Sequence, residues 1–443
     1  MNARVFVGLV FLTEVILEAG FRLKTNLAQG LSLKNVFLYG LLLVSLGNVF
    51  ANIRRHPRVV RNAYIALLLL GLLASASVLF APDLQGYRQY QPLAQLLGVK
   101  GLLFDSLIVL LVFSAALPRA TDYWRVICYI ITIVAAFVAL MLIEVRLPGL
   151  NLYGFVTDDQ RPRGPFGEPN QTAAVLALVL PLAIVSAIRS KGIGRFSSGF
   201  LAALIAAGLV VTGSRGGIVA ATFGLGLLAI AIRKEVGISA KVLVISAIPV
   251  VLVVGWTLLP AQYQVLIEKR VVSIVDTQSD ISKTSAGRTI LWGEAVKQWE
   301  DAPILGHGWG YFREATGNVT HNEFLVFLVD TGAIGLGLYL VVWSCVLRII
   351  FLAKRSGLGD KLVLTAYQAG IGSLLVAIFF VNLYLPWLVV WGVVGLIVAH
   401  CSSLVVLSRR ATTLPGPSGA YVGSSILLEQ RRGYQRPQNG TSR

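Results

Sequence analysis

The sequence predicts an all-α integral membrane protein of about twelve transmembrane helices, on three observations. Hydrophobic residues make up 56% of the chain and charged residues 13%, with mean hydropathy +0.75, far too apolar for one soluble domain of 443 residues. Apolar runs long enough to cross a bilayer recur along the chain. They are too long and too uniformly apolar for barrel strands, and in lipid a helix pairs every backbone group internally.

The runs lie at about residues 4–20, 35–51, 64–81, 101–117, 123–143, 171–188, 198–213, 216–232, 241–260, 324–347, 362–381 and 386–407. The first carries Glu14 and Glu18 and lacks a small-x-small cleavage site, so it reads as a retained span rather than a signal peptide. Residues 1–260 then hold nine spans, 261–320 form one large loop with helices of its own, and 321–410 hold three more spans. Residues 411–443 are a basic tail rich in Pro, Gly and Ser, expected to be disordered.

Placing the N-terminus in the cytoplasm makes the connections near 52–63, 118–125, 189–197, 233–241 and 353–361 the inner ones. Each is basic: Arg54 and Arg55, Arg119 and Arg125, Arg189 and Lys191, Arg233 and Lys234, Lys354 and Arg355. Both termini are then cytoplasmic. The net charge of +17 is partly topological and does not indicate nucleic-acid binding. The outer connections are basic as well. Long loops escape the positive-inside rule, but Arg215, in the very short turn "TGSRGG", does not. Arginines concentrated on the outer side suggest an anionic ligand there, such as a lipid-linked phosphate or diphosphate. Snorkelling to lipid headgroups is the alternative for any one of them.

Outer segments carry the candidate chemistry. In "RPRGPFGEPNQTAA", residues 161–174, Pro169 precedes Asn170 where the sixth span begins. In "TGSRGGIVAA", residues 212–221, glycines let backbone and ligand approach closely around Arg215. Within the large loop, "AGRTILWGEAVKQWEDAPILGHGWGYF" predicts a helix from about Thr289 to Trp299, opened by Arg288 and followed by a Gly-rich turn. Trp292, Ala295 and Trp299 share one of its faces. In "GNVTHNEFLVFLVDTGAIG", residues 317–335, Thr320 and Glu323 form a capping-box pattern before an apolar run, which puts His321 in the first turn of a helix. The positive end of that helix disfavours imidazolium, so the ring leans toward neutral. The small residues of "TGAIGLG" offer a face for close helix packing.

In this order and on one side of a many-span chain, "TGSRGG", "GRTILWGEA", "PILGHGWGYF" and "HNEFLVFLVDTGAIGLGLYL" resemble the O-antigen ligase and polymerase superfamily of bacterial envelope glycosyltransferases. The resemblance covers about residues 160–350. It implies transfer of a glycan from undecaprenyl diphosphate to a sugar hydroxyl of the lipid A-core, at the periplasmic face of the inner membrane. It implies that Arg215, Arg288 and His321 are the catalytic residues, with Arg163 and Asn170 matching less closely as substrate-binding positions.

The residue types suit that chemistry. A metal-free glycosyl transfer needs positive charge on the departing diphosphate, which Arg215 and Arg288 supply bidentately. The acceptor hydroxyl needs a base, and His321 is the natural one. Direct displacement with inversion is expected, without a cofactor, since no pair of carboxylates is evidently placed for a double displacement. Asp158 and Asp159 holding Mg²⁺ on the diphosphate are the alternative. Glu168 is a candidate for orienting the base or an arginine, and the cap already explains Glu323. His307 reads as a loop histidine near Trp309 and is kept as a candidate substrate contact. Cys128, Cys345 and Cys401 lie in or beside spans and do not form a disulfide framework. Glu14, Glu18, Asp105 and Glu144 are acids in or near spans, which keeps a lipid-linked sugar flippase in view. Within the superfamily, a polymerase or a protein O-oligosaccharyltransferase competes with the ligase, which the short Arg215 turn and the tail favour.

Overall fold

The computed structural model describes residues 3–21, 26–28, 31–80, 90–115, 123–147, 162–232, 261, 263–265, 268, 287–384 and 387–413. Among them, nine helices are long and apolar enough to cross a membrane, and the chain is an all-helical, multi-pass membrane protein apart from one small hairpin. In order the elements are α1 (Ala3–Phe21), β1 (Asn26–Ala28), β2 (Leu31–Ser32), α2 (Leu33–Ile53), α3 (Arg58–Phe80), α4 (Pro92–Val99), a π-helical turn (Lys100–Phe104), α5 (Asp105–Ala115), α6 (Tyr123–Arg146), α7 (Pro169–Arg189), α8 (Ile193–Val211) and α9 (Arg215–Ile232). Then come α10 (Arg288–Asp301), α11 (Tyr311–Thr316), α12 (Glu323–Arg355), α13 (Lys361–Ile378) and α14 (Trp387–Thr413). The span expected at 241–260, the acids Asp158 and Asp159, most of 261–286 and the tail beyond 413 lie outside the described residues.

Helix α7 is the axis of the bundle. Its residues from Ala173 to Val185 are all buried, and it packs against α8, α9 and α13. Lipid tails leave little hydrophobic drive between helices, so close packing holds such a bundle together. The sequence allows it: Gly370 on α13 leaves no room for a side chain, since a Cβ there would stand 2.7 Å from the Leu178 carbonyl oxygen. Helix α14 fills the other half against α5 and α12, and α12 lies along α3.

One expected span differs in kind. Residues 324–347 read as a single helix, but Gly332, with φ 65° and ψ −167°, breaks α12 after its second turn. The segment Glu323–Thr331 folds back on the rest, so that Phe327 stacks on Tyr339 at 4.3 Å and Phe324 meets it at 5.8 Å. A break strands backbone groups that lipid cannot satisfy. The loop 303–308 satisfies them. Ala333 and Ile334 donate their amides to the Pro303 and Ile304 carbonyls, while His307 and Gly308 donate to Val329 and Asp330. The Asp330 carboxylate accepts from the Gly310 and Phe312 amides at the start of α11. "PILGHGWG" is thus the backbone complement of the break, and Gly332 makes a corner as well as packing closely.

Candidate functional site

At one end of the bundle the first turns of α7, α9 and α12 come together beneath α10. Glu168 caps α7: Oε2 accepts from the Gln171 amide at 2.9 Å and Oε1 from Asn170 Nδ2 at 2.6 Å. Asn170 Oδ1 accepts from Ser214 Oγ at 3.0 Å, and Ser214 Oγ accepts from the Gly217 amide at 3.3 Å, capping α9. This chain stitches two helix N-termini together, with Pro169 and Arg215 opening the two helices. Asn170, expected to bind substrate, spends its side chain on the stitch. Arg163 is half-buried beside it, its carbonyl accepting from Thr172 Oγ1 at 2.6 Å.

The glycines of "TGSRGG" serve the neighbouring elements rather than a ligand. A Cβ on Gly216 would stand 2.6 Å from Cβ of Phe380, and one on Gly217 would collide with Ala173 of α7. From there a ring of contacts runs to the histidine. Phe380 and Phe379 lie against Trp292 of α10, with centroids 6.3 Å and 5.2 Å away. Trp292 Nε1 donates to the Thr320 carbonyl at 2.9 Å. Arg288 is one turn before Trp292, and His321 is the next residue after Thr320. Arg215, Arg288 and His321, distant in sequence, therefore stand around one cluster. The expected loop helix is present and one turn longer, and its Trp292 face packs on the bundle. Ala295 is buried against Phe312 and Val329.

His321 does not lie in the first turn of α12. Its φ is 52°, the one left-handed value at a non-glycine position among the described residues, a conformation costing on the order of 1–2 kcal/mol. The flanking residues hold it there. Thr320 Oγ1 accepts from the Asn322 amide at 3.2 Å, and Asn322 caps α12 by accepting from the Phe324 and Leu325 amides at 3.0 and 3.2 Å. The expected Thr320–Glu323 capping box is thus replaced by an Asn322 cap, because a short amide side chain next to the helix competes better for its first amides. Glu323 is not explained by capping: it is buried and accepts from the Leu383 amide at 3.1 Å, tying α12 to the segment before α14.

Burial holds the His321 imidazole below the ordinary histidine value of 6.5, and Arg288 adds to the effect while Glu168 opposes it. The shift favours the neutral ring, and desolvation rather than the helix terminus is its main cause. Convergent helix N-termini and two arginines make the surroundings favourable to an anion. Among the described residues no group of three or more His, Cys, Asp or Glu is arranged to hold a metal ion; Asp158 and Asp159 lie outside them.

His307 stands apart from this chemistry. It stacks on Tyr311 at 4.2 Å, its Nε2 lies 2.6 Å from the Gln298 carbonyl, and it supports the break in α12. Trp309, its expected neighbour, packs on Phe327 instead. One side chain near Glu168 has no sequence signal. Tyr384 is exposed, its amide donates to Gln171 Oε1 at 3.2 Å, and it lies within electrostatic reach of both Glu168 and Arg313. Only the return of the α13–α14 connection to α7 brings it there. Ser214, by contrast, was readable as the residue before a helix.

No curated protein matches the chain. A solved structure described as "Structural coordination of polymerization and crosslinking by a peptidoglycan synthase complex" is 17% identical over 97% of this chain and 98% of that one, with a TM-score of 0.30, too low to bear on the fold. The informative match falls on the site itself: residues 200–340, the segment that bears Arg215, Arg288 and His321, match the family model for O-Antigen ligase.

Proposed function

We propose that this protein transfers O-antigen polysaccharide from undecaprenyl diphosphate to a sugar hydroxyl of the lipid A-core, with the His321 end of the bundle facing the periplasm, both termini in the cytoplasm, and the inner membrane as its location. The observation that carries the reading is the gathering of Arg215, Arg288 and a neutral His321 around Phe380, Trp292 and Thr320, within the segment that matches the family.

In the proposed reaction the acceptor hydroxyl attacks the anomeric carbon of the donor from the face opposite the diphosphate. The new C–O bond forms as the bond to the diphosphate oxygen breaks, with inversion. The hydroxyl proton passes to the His321 ring, a role worth roughly 10²–10⁴ in rate. The electron pair leaves with undecaprenyl diphosphate, whose developing charge meets Arg215 and Arg288 and the amides opening α7 and α9. Arginine can do this without a metal, so the reaction is proposed to be metal-independent. Arg163, Glu168 and Asn170 line the donor side in this scheme. Glu168 acts through the His321 field and Asn170 through the stitch between helices.

The test is reconstitution of the purified protein in detergent with undecaprenyl-diphosphate glycan and lipopolysaccharide lacking O-antigen, with EDTA present. An increase in lipopolysaccharide size is the expected result. Extended glycan on the donor lipid instead would make the protein a polymerase, and activity restored only by Mg²⁺ would overturn the arginine scheme in favour of Asp158 and Asp159.

A further inference from the structure

The connection from α13 to α14 crosses the His321 end of the bundle, and its backbone is fastened on both sides of one residue. Leu383 donates its amide to Glu323 Oε2 at 3.1 Å, Tyr384 donates its amide to Gln171 Oε1 at 3.2 Å, and Trp387 Nε1 donates to the Leu102 carbonyl at 2.9 Å. Leu383 and Trp387 are each 1% exposed, whereas Tyr384 between them is 59% exposed. Burying an aromatic ring is among the larger gains open to a chain, yet here a ring on a fixed backbone is held out. Its surroundings are polar: Glu168 and Arg313 both act on the phenol, as does the Gln171 side chain. Glu168 acts on His321 as well, so one carboxylate is the common neighbour of this ring and the proposed base.

We propose that the exposed ring of Tyr384 is the platform for the donor's first sugar, the one joined to the diphosphate.

The class of ligand follows from what borders the ring. A pyranose presents C–H groups on its faces and hydroxyls around its edge, so a face packs on an aromatic ring while the hydroxyls meet polar groups beside it. Glu168, Arg313 and Gln171 are such groups, and a polyprenyl tail has no use for them. The place of the sugar follows from the proposed reaction, on which this inference rests. In that scheme the amides opening α7 meet the diphosphate and His321 meets the acceptor hydroxyl, so the sugar that carries the anomeric carbon lies between them. Glu168 caps α7 and acts on His321, which puts it in that interval, and Tyr384 is fastened to the same first turn of α7. A ring already held by its backbone needs little ordering when the sugar arrives, and a tyrosine side chain has little freedom to lose.

The experiment measures binding of two probes to the purified full chain in detergent by microscale thermophoresis: undecaprenyl-diphosphate glycan and undecaprenyl diphosphate without sugar. Tyr384→Ala should weaken the glycan-bearing lipid by about ten-fold, as loss of an aromatic contact implies, and leave the bare lipid unchanged. Tyr384→Phe, which keeps the ring, should keep most of the affinity. A donor trimmed to its first sugar should show the same loss. Should Tyr384→Ala not fold, Tyr384→Leu, apolar but without a ring, takes its place. In transfer assays the folded variant should raise KM for the donor and leave KM for lipopolysaccharide as it is. Unchanged affinity for the glycan-bearing lipid would overturn the proposal and leave Tyr384 an interfacial aromatic anchor. Equal weakening of both lipids would overturn it in favour of a structural role, and a loss seen only with the untrimmed glycan would move the contact to a later sugar. The binding result stands apart from turnover: absence of transfer with the sugar-specific loss intact would refute the proposed reaction and leave the platform in place.

Discussion

The two ends of the bundle use charge in opposite ways. At the end away from His321, basic and acidic groups meet one another. Arg189 pairs with Asp360 at 3.0 Å and lies over the Trp124 ring, while Asp360 also caps α13. His56 and His400 are tied to Ser402 and Tyr367 at 2.6 and 2.8 Å. These contacts join α6, α7, α13 and α14 and the turn before α3. At the His321 end, the positive ends of helices and three basic side chains share one neighbourhood. Glu168, the carboxylate that acts on His321, is already engaged by Asn170 and the Gln171 amide. The first arrangement locks helices together. The second leaves a field suited to an incoming anion, and the cost of building it appears as the left-handed backbone at His321 and the broken α12.

The comparison is tested most severely at His321. His321→Ala should lower glycan transfer by about 10²–10⁴-fold while the protein still inserts and elutes as the native chain does in detergent; normal transfer would remove the base from the scheme. Next in size is the break. Gly332→Ala places a Cβ at φ 65° against the Ile304 carbonyl, so the variant should lose about 2 kcal/mol or more of stability, read as a thermal midpoint several degrees lower. An unchanged midpoint would mean that the corner is not required.

A subtler effect separates the two charges acting on His321. Arg288→Gln removes the group that lowers its pKa after burial, so the acidic limb of the pH–rate profile should move up. Glu168→Gln removes the opposing group, and the limb should move down. Shifts in the same direction would show that the limb belongs to another group. The same lowering fixes a sign for stability. His321 contributes fully above its unfolded value of 6.5, and the contribution is lost as pH falls through the lower folded-state value. The smallest effect belongs to the far end. Arg189→Gln should cost about 1 kcal/mol, since the pair with Asp360 is partly solvent-exposed. Its transfer rate should equal that of the native chain, and a large loss of rate would deny that the two ends are independent.

Much of this was legible in the sequence. Most of the expected apolar runs fall on described helices, and nine helices among the described residues are long and apolar enough to cross a membrane, because burying a backbone in lipid leaves helix as the only economical fold and hydropathy reads that directly. The candidate bases and arginines were legible too, as polar residues bordering apolar runs. Other features depended on neighbours far away in the chain. Whether Thr320 or Asn322 caps α12 is decided by local geometry near the Thr320 carbonyl, which Trp292 holds from another helix. Gly332 looked like a packing residue until the loop at 303–308 supplied hydrogen bonds for a break. Glu323 and Tyr384 acquire their partners only through the α13–α14 connection. Composition and periodicity determined by themselves that the chain is helical and crosses the membrane, since that follows from transfer energies summed residue by residue. The tertiary structure alone decided which polar residues meet and where the helix after His321 breaks, because hydrogen bonds are satisfied pairwise in space, between groups whose distance along the chain says nothing of their distance in the fold.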